Sequence, residues 1–239
     1  METQHFGREA KPMKRVCIVC EGQTEETFVE TVLAPAFYGQ GLMLEPQMIE
    51  TSPGHKGGAL NYDRVRQHLR NTLRQKSAPT VTTFFDLYKL DKRFPGFDEA
   101  STQTSLTARL EIIKRNLHED VIQEAGCRPE RFIPYIQPYE FEALLFSNIS
   151  ELTGLEAEWR KATEVLLKAR NAVDSPEYIN DKPETKPAAH LERELVSPKF
   201  RKTRHGPLAA QKIGLNKMES ECQFFADWLN KIRQISKTP

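Results

Sequence analysis

Arg15-Val16-Cys17-Ile18-Val19-Cys20-Glu21-Gly22-Gln23-Thr24-Glu25-Glu26 is the stretch that decides the fold. Arg15 to Cys20 is apolar and rich in β-branched residues, the pattern of a buried strand, and it ends on an acid and a glycine. From Thr24 to Leu33 the period changes: Phe28, Val29, Val32 and Leu33 share one helical face, and Pro35 stops or kinks that helix. A buried strand followed at once by an amphipathic helix is the opening unit of an α/β sheet.

Working outward, the alternation repeats. A weak strand falls near Leu44 to Ile49, a loop runs from Ser52 to Gly58, and a helix from about Asn61 to Gln75 turns Tyr62, Val65, Leu69 and Leu73 inward. Thr80 to Leu87 is the strongest strand pattern in the chain. A helix from about Ser105 to Glu124 follows, then a strand from Arg131 to Gln137 and a short helix from Tyr139 to Phe146. Crossovers of this length predict a mostly parallel, Rossmann-like sheet flanked by helices. Beyond Ser147 the pattern is helical, from Glu151 to Arg170 and again in an amphipathic segment from Gln223 to Ile235, separated by a polar connection from Asn171 to Pro187. The expected organisation is a flexible N-terminus (1–14), an α/β domain (15–150) and a C-terminal helical extension packed on it (151–239).

Composition narrows the function classes. Lys and Arg total 34 against 33 Asp and Glu, so no global field draws the protein to a polyanion, and any such site is a local patch. Apolar stretches such as Phe141 to Phe146 fall far short of the roughly 18 to 20 residues that span a bilayer, and no signal-peptide core is present, so a cytoplasmic protein without membrane attachment is expected. The 4 cysteines are too few for a disulfide framework. Cys17 and Cys20 spell C-x-x-C, but a strand sends residues three apart to opposite faces, which opposes a zinc knuckle.

The chemistry gathers at the strand ends, where ligands bind in parallel α/β sheets. Glu21 follows the first strand, Glu25 and Glu26 stand in the first turn of the next helix, Asp86 ends the third strand, and Glu140 and Glu142 follow the fourth. Several carboxylates around a helix N-terminus repel phosphate unless a cation lies between them. Hard oxygen ligands from separate strands suit Mg²⁺ or Mn²⁺. Helix starts also select acids through the dipole, so the weight rests on the coincidence at successive strand ends rather than on any one residue. On a helix Glu140 and Glu142 would lie about 200° apart, so only one of them can face the strand ends. His68 and His118 are read as surface or packing residues.

These residues carry a resemblance. The run Cys20 to Glu26, the strand Thr82-Thr83-Phe84-Phe85-Asp86-Leu87-Tyr88, the segment Tyr139-Glu140-Phe141-Glu142-Ala143-Leu144-Leu145-Phe146 and the tail from Lys202-Thr203-Arg204-His205-Gly206-Pro207-Leu208 through Gly214-Leu215 resemble bacterial proteins of the TOPRIM superfamily. The resembled family lies near the overcoming-lysogenization-defect nucleases and the RloB-like proteins, and the resemblance covers nearly the whole chain. It implies a TOPRIM fold, Mg²⁺-dependent phosphodiester chemistry, and pairing with an AAA or SMC-like ATPase in phage defence. By resemblance Glu21 matches the first-strand glutamate, Asp86 the first aspartate of D-x-D, and Glu142 the third acidic element with Glu140 second. Lys202 and His205 are placed near the site. Tyr88 stands where the second aspartate of D-x-D belongs, with Asp91 the nearest substitute.

The resulting expectation is a metal-dependent TOPRIM-type nuclease acting on DNA or RNA as the effector of an anti-phage system. Glu21 would bind metal or act as general base, Asp86 and Glu142 would hold the ion, Glu25 would assist, and Lys202 or Lys56 would steady the phosphate. Arg64, Arg70, Arg201, Arg204 and His205 are the candidate nucleic-acid contacts. The alternatives are a catalytically degenerate adaptor that binds nucleic acid or the ATPase, and a nucleotide-processing phosphotransferase. Homo-oligomerisation is a further option.

Overall fold

The computed structural model describes residues 13–52, 55–56, 61–179 and 182–237, with 50–52 and 55–56 by backbone alone. Strand β1 (Lys14–Cys20) leads into helix α1 (Gln23–Phe28), a π-helical turn (Val29–Leu33) and α2 (Ala34–Tyr38). Pro35 therefore neither stops nor sharply breaks the helix. Lacking an amide hydrogen, it cannot complete the α ladder, and the wider turn absorbs the defect. Then come β2 (Leu42–Met48), a hairpin of β3 (Glu50–Ser52) and β4 (His55–Lys56), and α3 (Tyr62–Leu73), whose N-terminus is capped by the Asn61 side chain. Strand β5 (Thr80–Asp86) ends in a 3₁₀ turn (Leu87–Lys89), followed by α4 (Phe97–Ser101) and α5 (Leu106–Ala125). The short β6 (Phe132–Ile133) and β7 (Ile136–Gln137) precede a 3₁₀ helix (Phe141–Ser147). The remaining helices are α6 (Ile149–Thr153), α7 (Thr163–Asn171), α8 (Pro187–Glu194), α9 (Lys202–Ile213), α10 (Leu215–Glu221) and α11 (Gln223–Ile235).

The strands of the main sheet run in the order β2-β1-β5-β6, with β7 also beside β5, and every pairing in it is parallel. The β3–β4 hairpin is antiparallel, as is an isolated bridge between Val196 and Lys199. Side chains of β1 alternate between two apolar layers: Val16, Ile18 and Cys20 enter one, Cys17 and Val19 the other. The two cysteines thus face opposite sides of the sheet, as strand geometry requires. Helices α3 and α5 cover the Cys17 face through Val65, Leu69, Leu110, Ile113 and Leu117. The Ile18 face is covered by α1 and by the C-terminal helices, because Phe28, Phe84 and Phe141 share a cluster with Ile213, Phe225, Trp228 and Leu229. The architecture is α/β, Rossmann-like, with a mostly parallel sheet flanked by helices and further helices at the C-terminus.

Three further sequence-based elements differ from the expectation. The strand expected over Arg131 to Gln137 is split at Pro134-Tyr135, where proline cannot donate to the ladder. The Thr83 hydroxyl repairs the gap, accepting from the Tyr135 N–H at 2.9 Å and donating to the Tyr135 carbonyl at 2.7 Å. The helix expected from Tyr139 to Phe146 is a 3₁₀ helix that starts later, because Tyr139 takes a left-handed backbone with φ of 56° and Glu140 is extended. The helical stretch from Glu151 to Arg170 is broken into α6, a 3₁₀ segment (Ala157–Ala162) and α7. Among the described residues, no helix is long and apolar enough to cross a membrane.

Candidate active site

Because β1 and β5 are parallel neighbours, their C-terminal ends bring Glu21 and Asp86 together, and Glu21 Oε2 accepts a hydrogen bond from the Asp86 N–H at 3.2 Å. Helix α1 starts directly after Gly22 and carries Glu25 in its first turn. The 3₁₀ helix after β7 delivers Glu142, and its first N–H, that of Phe141, donates to Asp86 Oδ1 at 2.9 Å. Helix α9 adds a cation from a distant part of the chain. Lys202, its first residue, sets Nζ at 3.2 Å from Glu142 Oε1, 3.5 Å from Glu25 Oε1 and 3.7 Å from Asp86 Oδ2. At the rim, Lys89 Nζ lies 3.6 Å from Glu21 Oε1.

The local sequence of α9 explains how that lysine is held. The His205 ring accepts the Arg201 N–H on Nδ1 at 2.8 Å while the His205 N–H donates to the Arg201 carbonyl, closing the turn that bears Lys202. Burial, with the nearby Arg204 charge, lowers the pKa of His205, consistent with a neutral ring that accepts at Nδ1. Gly206 lets the helix approach closely: a Cβ there would stand 3.2 Å from both Phe141 Cε1 and Thr24 Cγ2. A cation in the first turn of a helix opposes the dipole, so propensity does not explain Lys202, whereas the carboxylates do.

Charge in the cluster is not balanced. Glu21, Glu25, Asp86 and Glu142 are all buried, and Asp86 and Glu142 are each only 1% exposed. Burial pushes the Asp86 carboxyl well above the usual carboxylate range; Lys202 pulls it back in part, and Glu21, Glu25 and Glu142 push it further up. Glu25 is raised as well, first by burial, against the pull of Lys202. For Lys202 burial is the largest single effect and favours the neutral amine, but the four carboxylates together outweigh it and its pKa is raised. Asp86 Oδ2 and Glu142 Oε1 are buried and make no hydrogen bond; what reaches them is the Lys202 charge.

All the donors here are hard oxygens, they carry excess negative charge, and two keep unused lone pairs. This chemistry fits Mg²⁺ or Mn²⁺. Among the described residues, no three His, Cys, Asp or Glu side chains are closed into ligand geometry, and the Lys202 ammonium stands between the carboxylates instead.

The other residues singled out from sequence fall elsewhere. Glu140 turns away from Lys202: it pairs with Lys186 at 2.9 Å and accepts the Ala188 N–H at the start of α8, so it pins that helix. The side chain of Lys56 lies outside the described residues. Arg70 is held by Glu124 at 3.0 Å in an ion-pair group with Arg66 that ties α3 to α5, while Arg64 is exposed on α3. Arg201 and Arg204 are exposed beside Lys202, whereas His205 is buried against Trp159 and Phe200. Asp91, the substitute that the resemblance offered, already has a partner. Arg93 occupies it, and that hydrogen bond lowers its carboxyl to about 2.

Three cationic or positioning features escaped the sequence reading: Lys89, Lys186 and the His205 turn. Isolated lysines in loops carry no periodic signal, and only the register of β1 against β5 shows that Lys89 reaches Glu21. No curated protein and no solved structure matches the chain. A model of a domain of unknown function, DUF4276, matches residues 20–233, a span that contains all four clustered carboxylates and Lys202, and the chain therefore belongs to the DUF4276 family.

Proposed function

We propose that this protein is a divalent-metal-dependent phosphodiester hydrolase, a nuclease of TOPRIM type acting on DNA or RNA. One observation carries the reading: four buried carboxylates from β1, α1, β5 and the 3₁₀ helix meet at the C-terminal edge of a parallel sheet, two with oxygens that make no hydrogen bond. Glu25, Asp86 and Glu142 are the side chains that would hold Mg²⁺ or Mn²⁺, with Glu21 beside Asp86. When bound, such an ion neutralises phosphate oxygens and lowers the pKa of water. Glu21, which accepts the Asp86 N–H, would take a proton as general base. Lys202 supplies positive charge for a phosphate oxygen, and exposed Arg201 and Arg204 extend that charge along the approach. The resemblance also supports a role as the effector of an anti-phage system with an AAA or SMC-like ATPase.

A second reading, the non-catalytic adaptor, is favoured by Lys202 itself, since an internal ammonium already answers part of the charge that a metal would answer. The two are separated by assaying labelled single-stranded and duplex DNA and RNA with Mg²⁺, Mn²⁺ or chelator, alone and with the ATPase partner. Cleavage that needs the metal and falls at least about a thousandfold in Glu21→Gln and Asp86→Asn is the expected result. Full phage protection by both variants would replace the nuclease with the adaptor.

A further inference from the structure

Tyr88 interrupts the acidic pattern of the site, and its surroundings differ from those of the buried cluster. It lies two residues beyond Asp86 in the 3₁₀ turn after β5 and keeps 38% of its surface in water. Its backbone is fixed by a hydrogen bond from its N–H to the Tyr139 carbonyl at 3.0 Å. One face of the ring is covered by Lys186, whose Nζ is 4.6 Å from the ring centroid. The next residue, Lys89, reaches Glu21.

Lys186, over the ring, and Lys89, the residue after Tyr88, are both tied to the site. Lys89 contacts Glu21, a member of the carboxylate group, and Lys186 contacts Glu140, which immediately precedes the Phe141 N–H that holds Asp86. An exposed aromatic ring with one ammonium over a face and a second on the adjacent residue, beside the proposed phosphate-processing centre, has the composition of a single-strand platform. The ring offers a π face to an unpaired base and the lysines meet the backbone. A paired base in a duplex has no free face to give.

We propose that Tyr88, with Lys89 and Lys186, forms a base-stacking rim that selects an unpaired nucleotide next to the scissile phosphate. This rests on the nuclease reading above and names its substrate class, single-stranded DNA or RNA. In this role Tyr88 does not replace a metal ligand: it exchanges the second aspartate of the superfamily pattern for a substrate contact.

The test is fluorescence anisotropy on the full-length protein with Ca²⁺ in place of Mg²⁺, so that binding is read without cleavage. The probes are a labelled single strand, the duplex of the same sequence and an abasic single strand. The single strand should bind at least about tenfold more tightly than the duplex. Tyr88→Ala should lose about tenfold on the single strand and nothing on the duplex, Tyr88→Phe should stay near wild type, and the abasic strand should bind wild type as weakly as the normal strand binds Tyr88→Ala. Tyr88→Leu, which keeps bulk without a π face, takes the place of Tyr88→Ala if thermal melting shows that variant to be unfolded. Equal single-strand affinity in wild type and the variant without a π face, or duplex binding as tight as single-strand binding, overturns the rim while leaving the nuclease reading intact. A wild-type protein that binds none of the three probes overturns both.

Discussion

Among the described residues, two of the buried acidic sites are built in opposite ways. Glu177, fully buried in the connection before α8, places its two oxygens on the Phe224 and Phe225 N–H groups, both at 2.9 Å, at the start of α11. One carboxylate meets the positive end of one helix. The cluster at the sheet edge packs three carboxylates around the Lys202 ammonium, with Glu21 beside Asp86, and leaves two oxygens without hydrogen bonds. A carboxylate kept for architecture has its partners built in. On the proposed function, the sheet-edge carboxylates stay under-compensated because a bound cation would complete them.

The sharpest way to break this contrast is to remove the internal cation. Lys202→Met should cost about 3 kcal/mol of unfolding free energy near pH 8, the penalty for leaving buried charge unpaired, and added Mg²⁺ should restore a substantial part of it. Urea denaturation with and without Mg²⁺ reads both effects. Unchanged stability would mean that the cluster does not depend on Lys202.

Next in size is a pair of substitutions with opposite signs. Glu177→Ala strips two N–H groups at the start of α11 of their acceptors and should cost about 2 kcal/mol. Asp86→Asn removes a charge from an over-acidic group while keeping an oxygen for the Phe141 N–H, and should raise stability by about 1 kcal/mol near pH 8. Destabilisation by both would erase the distinction between the two sites.

The last effect is spread over a pH range. Burial raises the Glu177 carboxyl to about 7, against the pull of the Phe224 and Phe225 N–H groups. Between about pH 4.5 and pH 7 the unfolded chain has released this proton while the folded protein keeps it, so stability falls as pH rises through that window. Glu25 and Asp86 are raised too and contribute with the same sign. The wild type should therefore lose stability with pH more steeply than Glu177→Gln, by up to about 1.4 kcal/mol per pH unit, in denaturation series from pH 4.5 to pH 8.

Much of this was legible in the sequence where a physical period exists. The β-branched runs at Arg15 to Cys20 and Thr80 to Leu87, and the apolar stripes of α3 and α5, announce themselves through spacing. From them follow the parallel sheet and the meeting of Glu21 with Asp86 at its edge. What escaped depends on contacts distant in sequence. Glu177 lies in a polar stretch and is read only through α11, 47 residues on. Glu140 and Glu142 are separated less by helical angle than by a change of backbone, since Glu140 is extended and only Glu142 enters the 3₁₀ helix. Helix α9 was hidden by Gly206-Pro207, a pair that normally argues against a helix interior.

That same glycine sets a mechanical tolerance. Gly206 sits one helical turn beyond Lys202, and a side chain beginning there would press within 3.2 Å of the Phe141 ring and the Thr24 methyl. The reach of the ammonium into the acids is thus gauged by a gap too small for a methyl group. Adding one would force a few tenths of an ångström of recoil, shared between the helix that holds the lysine and the two elements that hold Glu25 and Glu142.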